Sequence, residues 1–272
     1  MRSQNMFYWR HLNSPLWILA AWLLSPGAVP SPSESAPARS LADVRLLRTL
    51  ELKGKTYHVQ GIDFDSQHVW VTSCDRPSRK GYLYQFSLAT GEQERVIEIQ
   101  DGDRYHPGGI DTDANSIWIP VAEYRPKSTS VIQRRDKRTF KVEFQFSVPD
   151  HIGCVAATPE FLIGGNWDSR EFYVWNRHGQ LIRKVPNTSG NNYQDMKFDS
   201  PHIVASGVFP DNAGGAIDWL DFPDFHVTRR LTAGNTDRNL PFTSEGMAIR
   251  ANRLLLLPED DQSRVFIFQN AP

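Results

Sequence analysis

The sequence predicts an all-β fold in which one four-stranded unit is repeated five times, and three observations support this prediction. Five segments begin with a small or turn residue and carry a bulky apolar residue nine positions later. They start 48, 44, 42 and 51 residues apart, a spacing typical of propeller blades. No helical periodicity interrupts them. These observations together predict a five-bladed β-propeller. The five segments begin at Gly61, Gly109, Gly153, Asp195 and Gly246.

Each repeat contains the same elements in the same order. It opens with a short strand, a tight turn and a second strand, and the turns hold Asp, Asn, Ser or Pro, which favour tight turns. Third strands are predicted at 82–86, 130–134, 172–176, 216–220 and 265–268. Fourth strands are predicted at 94–99, 141–146, 180–185 and 226–231.

The fifth repeat lacks a fourth strand of its own. An alternating segment with the sequence VRLLRTLEL precedes the first repeat, at residues 44–52. A propeller ring is stable when it is closed, because closure removes exposed strand edges. We therefore expect this N-terminal strand to complete the last blade, so that residues 44–272 form a single domain.

The first residues have the composition of an export signal. Arg2 and Arg10 precede an apolar run from Leu16 to Leu24, and small residues follow. The run is about half as long as the roughly 20 residues that span a bilayer. We interpret residues 1–24 as an export signal and the Ser/Pro/Ala-rich residues 25–43 as a linker, so the protein is expected to be secreted or periplasmic.

Composition excludes several classes of function. The 272 residues carry 30 Lys+Arg and 31 Asp+Glu, a net charge of −1, so no basic field is available for nucleic acid. No charge block favours a membrane surface, and no membrane insertion is expected after signal removal. Two cysteines, Cys74 and Cys154, exclude a disulfide scaffold, and their positions in non-neighbouring blades predict free thiols. We expect a monomer.

Propeller geometry predicts where a binding site lies. The loops before the innermost strands and the loops between second and third strands share one face, and here they are rich in polar and aromatic residues. We predict ligand-binding residues on this face, for a small polar molecule, a carbohydrate or a peptide. The candidates are His151, Asp75, Arg76, Glu123, Arg125, Asn166, Trp167, Asp168, Gln194, Glu259 and Asp260.

Three residues on this face also suggest a metal site. His58 and His106 occupy the same repeat position, and Glu245 opens the blade that neighbours the first blade once the ring closes. Imidazole and carboxylate ligands suit a divalent metal such as zinc or calcium. The alternative is that these histidines cap adjacent loops by hydrogen bonds. Asp63 and Asp111 are expected to bind backbone amides at the channel lining.

Two segments carry a family resemblance. They resemble the repeat of NHL-type and gluconolactonase-like propellers, and their sequences are HPGGIDTDANSIWIPVAE (106–123) and HVQGIDFDSQHVWVTSCD (58–75). Together with the signal-like N-terminus, the chain resembles an exported bacterial family within that superfamily. The resemblance covers these two repeats well and the other three loosely. It implies a propeller fold and a metal-binding role for Glu245. Where gluconolactonase-like propellers carry an Asn and an Asp as further ligands, this chain has Gln60, Gly108, Ile152 and Gln194. A propeller lyase family that resembles the NHL type uses His-liganded zinc.

These observations leave three functions open. The leading hypothesis is an exported propeller that binds a small polar ligand, sugar or peptide on the His-bearing face. The first alternative is a metal-dependent hydrolase or lyase with a His/Glu site at the channel mouth. The second is a protein-interaction scaffold without chemistry, since propellers host unrelated functions.

Overall fold

The computed structural model describes residues 39–269, which form strands and loops with two single-turn 3-10 helices. The predicted export signal and residues 25–38 lie outside this range. Within it, no helix has the length and apolar character needed to cross a membrane.

The strands follow the predicted order. The described chain begins with β1 (Arg39–Ser40), a 3-10 turn (Leu41–Asp43) and β2 (Leu46–Glu51). Blade 1 contains β3 (His58–Phe64), β4 (His68–Asp75), β5 (Lys80–Ser87) and β6 (Gln93–Glu98). Blade 2 contains β7 (His106–Pro107), β8 (Asp111–Thr112), β9 (Ser116–Ala122), β10 (Ser130–Asp136) and β11 (Val142–Val148).

Blade 3 contains β12 (Ile152–Ala157), β13 (Phe161–Asn166), β14 (Glu171–Asn176) and β15 (Leu181–Pro186), with a 3-10 turn at Trp167–Ser169. Blade 4 contains β16 (Asn192–Asp199), β17 (His202–Val208), β18 (Gly215–Leu220) and β19 (Val227–Ala233). Blade 5 contains β20 (Gly246–Arg250), β21 (Arg253–Leu257) and β22 (Arg264–Gln269).

The N-terminal strand closes the ring, as predicted. β2 pairs antiparallel with β22, so the last sheet has the order β2-β22-β21-β20. Leu50 in β2 is buried against residues of blades 5 and 1. The five-bladed propeller predicted from the sequence is therefore confirmed.

The N-terminal segment continues past the predicted boundary of the domain. β1 pairs in parallel with β19 at the outer edge of blade 4, and Leu41 is buried in the adjoining core. Residues 39–43, predicted as linker, are therefore part of the folded domain. This pairing also covers part of an otherwise open strand edge.

The core is divided into five apolar clusters, one between each pair of neighbouring blades. Four strand tryptophans are buried in these clusters, namely Trp70, Trp118, Trp175 and Trp219. Cys74 and Cys154 are buried free thiols, as predicted. Because each sheet alone exposes two apolar faces, stacking in a ring is what removes them from water.

The repeated glycine has a physical reason at the channel. A Cβ on Gly61 would lie 2.7 Å from the carbonyl oxygen of Gly108, and one on Gly109 would lie 2.7 Å from that of Gln194. Innermost strands of different blades approach here backbone to backbone, and glycine permits the approach.

Three buried carboxylates bind the innermost strands together across the channel. Asp63 accepts a hydrogen bond from the amide of Thr112 in blade 2. Asp111 accepts from the amides of Ala157 and Phe198, in blades 3 and 4. Asp195 accepts from the amides of Ile62 and Met247, in blades 1 and 5. The amide-binding role expected for Asp63 and Asp111 is confirmed, and the three side chains link all five blades.

Candidate functional site: a polar and aromatic cavity at the channel mouth

The loops before the five innermost strands converge on one cavity of about 580 Å³, which includes the space at its open mouth. Most of the predicted site residues line it. They are His58, His106, His151, Asn166, Trp167, Asp168, Gln194 and Glu245. Gln60, Tyr124, Gly153 and Tyr193 complete the lining.

His106 is the most unusual residue of this central cavity. It is 8% exposed, and neither of its ring nitrogens has a hydrogen-bond partner among the described residues. Its ring centroid lies 4.3 Å from that of Tyr124 and 5.3 Å from that of His151. A neutral imidazole carries one donor and one acceptor, and leaving such groups buried without partners is unfavourable.

His151 lies beside His106 but is anchored differently. Its Nδ1 lies 3.1 Å from the carbonyl oxygen of Arg125 and 3.4 Å from Oγ of Ser128. Nδ1 therefore donates its proton to the carbonyl, which leaves Nε2 as the acceptor. His151 is thus held by hydrogen bonds to the protein, as a loop cap would be, whereas His106 is not.

Trp167 forms an aromatic wall of the cavity. Its indole makes an edge contact with the His151 ring at 4.6 Å and lies 6.4 Å from the Tyr124 ring. The 3-10 turn that carries it includes Asp168 and Ser169 in left-handed backbone conformations, with φ of 57° and 47°. Such conformations are costly for residues other than glycine and persist where the surroundings hold them, often at functional sites.

A chain of hydrogen bonds crosses the side of the cavity. Asp260 accepts from Nδ1 of His58, at 3.1 Å. Nε2 of His58 lies 2.9 Å from the amide nitrogen of Gln60, which lies 3.1 Å from Oε2 of Glu245. The Asp260 carboxylate therefore fixes the His58 tautomer with its proton on Nδ1, and Nε2 is the acceptor.

Burial sets the charge of the cavity. It lowers the pKa of His106 well below 6.5, and the neighbouring His151, His58 and Arg76 lower it further. The pKa of His151 is lowered by burial as well. Desolvation raises the pKa of Glu245 well above 4.5, and the Asp260 carboxylate adds to this shift. Burial therefore favours the neutral forms of both imidazoles and of the Glu245 carboxyl group.

Some predicted residues lie in two neighbouring cavities instead. Asp75, Arg76 and Asp260 line a second cavity, which shares His58 with the central one. Glu123 lines a third cavity and is paired with Arg125 at 2.7 Å. These residues surround the central cavity rather than line it.

Glu259 lies in neither the central nor the second cavity. It is 1% exposed and forms ion pairs with Arg238 and Arg264. Asn166 and Asp168 do line the central cavity, but Asn166 is hydrogen-bonded to Asp150 and Asp168 is paired with Arg170. Their polar groups are less available to a ligand than those of His106.

The proposed metal ligands share a cavity without forming a ligand set. Within residues 39–269, no three His, Cys, Asp or Glu side chains are arranged to hold a metal ion. Both ring nitrogens of His58 face other partners, Asp260 and Gln60, and Glu245 is bonded to Gln60. The residues present do not fit a three-ligand zinc or calcium centre.

Sequence comparison gives one partial family match. A family of unknown function (DUF6454) matches residues 78–195, which is less than half of the chain. A search of curated proteins gives no match.

Structural comparison shows β-propellers. The glutaminyl cyclase of Myxococcus xanthus has a TM-score of 0.63 at 12% identity, covering 83% of this chain and 95% of that one. The Pan2 WD40 domain of Neurospora crassa has a TM-score of 0.46 at 9% identity, covering 79% and 90%. BamB from Moraxella catarrhalis has a TM-score of 0.42 at 13% identity, covering 80% and 62%. The similarity to the glutaminyl cyclase shows the fold alone. The narrower resemblance to NHL-type and gluconolactonase-like propellers stays a prediction.

Proposed function

We propose that the central cavity binds a small uncharged polar molecule, such as a sugar or the neutral end of a peptide. The observation that carries this proposal is His106, which is buried with two unpartnered ring nitrogens. A ligand that offers both a donor and an acceptor, as a hydroxyl or an amide does, satisfies both nitrogens.

The charge of the cavity supports an uncharged ligand. The neutral forms of His106, His151 and Glu245 are favoured, because burial disfavours their charged forms. A charged group placed among them loses hydration without gaining an ion pair. Hydroxyl and amide groups lose less hydration free energy in the cavity and gain hydrogen bonds there.

The aromatic walls support a ligand with a flat apolar side. Trp167 and Tyr124 stand at right angles, with ring centroids 6.4 Å apart. Such walls bury the C–H face of a sugar ring or the methylene groups of a side chain, while His106 and Gln194 bind polar atoms. A volume of about 580 Å³ is suited to a molecule of this size.

The test is a ligand-observed NMR screen at pH 7.5. The panel contains neutral mono- and disaccharides and dipeptide amides. We expect at least one class to bind the wild type, and binding to be lost in Trp167→Ala and His106→Phe. His226→Ala is the matched control, since that side chain is 70% exposed in a turn of blade 4. Binding that survives both cavity variants refutes the proposal.

A second function is favoured by the hydrogen-bond chain from Asp260 to Glu245. It brings together an imidazole oriented by a carboxylate, His58, and a carboxyl group whose pKa is raised by burial, Glu245. An oriented imidazole near a carboxyl group of raised pKa suits general acid–base catalysis. The fold of a glutaminyl cyclase suggests one reaction to assay.

In glutaminyl cyclisation, the α-amine nitrogen bonds to the side-chain amide carbon, and the carbon–nitrogen bond of that amide breaks to release ammonia. The side-chain amide of Gln60 would first leave Nε2 of His58, which would then take the proton from the attacking amine, and Glu245 would give a proton to the departing nitrogen. The assay measures ammonia release from a peptide with N-terminal glutamine.

We expect Glu245→Gln to abolish turnover and Glu143→Gln to preserve it, because Glu143 lies on the outermost strand of blade 2. No ammonia release by the wild type contradicts this second function and leaves the binding proposal intact.

We also propose that the protein is exported, on the basis of the signal-like residues 1–24. The test is N-terminal sequencing of the protein from the periplasm or culture medium. Cleavage before residue 39 is expected, because β1 and Leu41 belong to the folded domain. An uncleaved protein that stays in the cytoplasm contradicts export.

A further inference from the structure

The second cavity opens beside the central one and has a different character. It has a volume of about 530 Å³ and includes His58 and Asp260, so the Asp260–His58 pair separates the two cavities. Its cationic residues are Lys55 and Arg76, both exposed.

Both cations are held on aromatic rings rather than by carboxylates. The Arg76 guanidinium lies over Tyr124 at 4.7 Å, and the Lys55 ammonium lies over Tyr57 at 4.5 Å. Tyr57 is in turn stacked on Tyr82. Within residues 39–269, neither cation has a carboxylate within ion-pair distance. Stacking on an aromatic ring restrains a cation while leaving its edge open to an anion.

The acids around this cavity are already engaged. Asp260 accepts hydrogen bonds from His58 and from the amide of Val59. Asp75 accepts from the amide of Ser78 and so holds its own turn. These hydrogen bonds occupy both carboxylates but leave them charged, so the cavity attracts an anion through the donor groups of Arg76 and Lys55, which have no carboxylate partner, and not through an excess of positive charge.

Arg76 also connects the two cavities. Tyr124, on which its guanidinium is stacked, lines the central cavity and contacts His106. The Arg76 charge is close enough to favour ionisation of Glu245 and to disfavour protonation of His106, although burial is the larger influence on both. A ligand seated on His106 and Trp167 that extends toward blade 1 therefore meets this guanidinium.

We infer that the second cavity is an anion subsite, in which Arg76 and Lys55 bind a carboxylate of the ligand whose neutral part occupies the central cavity. The ligand class is then an acidic sugar or a peptide segment with a free carboxylate. The inference rests on the proposed function for the neutral half of the ligand, and the carboxylate half is tested separately.

The first experiment uses acetate and its neutral counterpart acetamide as probes of the intact protein. The side-chain Nε–H signal of Arg76, assigned by its loss in Arg76→Gln, is followed by NMR. We expect a saturable shift with acetate and none with acetamide. Arg79→Gln is the matched control, because Arg79 lies nearby but is 61% exposed and paired with Asp103. A shift that does not saturate, or that is equal for both probes, refutes the subsite.

The second experiment identifies the source of the carboxylate. It compares glucuronate with glucose, and a glutaminyl dipeptide with its C-terminal amide. We expect the acidic member of one pair to bind at least fivefold more tightly, and Arg76→Gln to remove this preference while Arg79→Gln keeps it. Equal binding within both pairs overturns the inference. Loss of neutral-ligand binding in His106→Phe still supports the proposed function in that case, so the two failures are distinguishable.

Discussion

Replacement of His106 by phenylalanine distinguishes a ligand-binding residue from a structural one. If His106 caps a loop, its removal destabilises the protein. The structure predicts the opposite, because neither ring nitrogen has a partner within the described residues. A buried polar group left unpaired costs about 1–3 kcal/mol. Phenylalanine removes two such groups, while its larger ring must fit against Tyr124 at 4.3 Å. We expect a net gain of about 1–3 kcal/mol in the free energy of unfolding.

His151→Phe is the matched comparison, because the two rings lie 5.3 Å apart in the same cavity. His151 donates to the carbonyl of Arg125 and contacts Ser128, and phenylalanine loses both interactions. We expect this variant to lose about 1–2 kcal/mol, in line with a net hydrogen-bond contribution of roughly that size.

The pH dependence provides a second test of the His106 prediction. The folded protein keeps His106 neutral, whereas the unfolded chain protonates near pH 6.5. Wild-type stability therefore decreases as the pH falls below 6.5, and His106→Phe removes that contribution. The gain from the substitution should be larger at pH 5.5 than at pH 8. Urea unfolding at both pH values measures it. A loss of stability at pH 8 similar to that of His151→Phe refutes the reasoning and identifies His106 as a cap.

Two further predictions concern carboxyl groups. Because folding raises the pKa of Glu245, wild-type stability should decrease as the pH rises above 4.5. Urea unfolding between pH 5 and pH 8 should show a smaller decrease in Glu245→Gln. An unchanged dependence of stability on pH in this variant contradicts the prediction. Asp111→Ala deprives the buried amides of Ala157 and Phe198 of their acceptor and should lower the free energy of unfolding by about 2–6 kcal/mol. Asp111→Asn keeps a side-chain oxygen at this position and should cost less than half as much. Equal losses in the two variants show that this oxygen is not what links the blades.

The fold was predictable because its physical cause lies within each repeat. The innermost strands meet backbone to backbone near the channel, so small residues such as Gly61 and Gly109 recur at one position, and the apolar residue nine positions later follows from the hairpin. Ring closure by the strand at 46–51 followed from counting strands. Residues 39–43 carry no comparable pattern, because a two-residue parallel pairing leaves little trace in a sequence.

The candidate site was predictable as a face but not as a set of contacts. Repeat positions placed His58, His106 and Glu245 at one mouth, whereas the link from His58 to Asp260 joins residues 202 positions apart. Glu259 was predicted as a ligand-binding residue, but its carboxylate forms ion pairs with Arg238 and Arg264, whose positions depend on loop conformation. Such pairings are set by tertiary structure.

Gln60 was not predicted as a ligand-binding residue, although it lines the central cavity together with Tyr124. The sequence positions of Gln60 and Tyr124 indicate that they lie near the site, whereas their residue types alone do not. Gln60 precedes the first repeat glycine by one residue, and Tyr124 follows a carboxylate in a loop of the polar face. A prediction that includes every side chain of those loops identifies both residues.

The most direct test of the central claim is to observe the ring nitrogens of His106 by NMR, with and without the ligand found in the neutral panel. We expect the His106 ring to titrate well below pH 6.5, and both of its nitrogens to show shifts that saturate with the ligand while His226 is unchanged. A His106 that titrates near pH 6.5, or whose nitrogens do not respond when the ligand binds, contradicts the account.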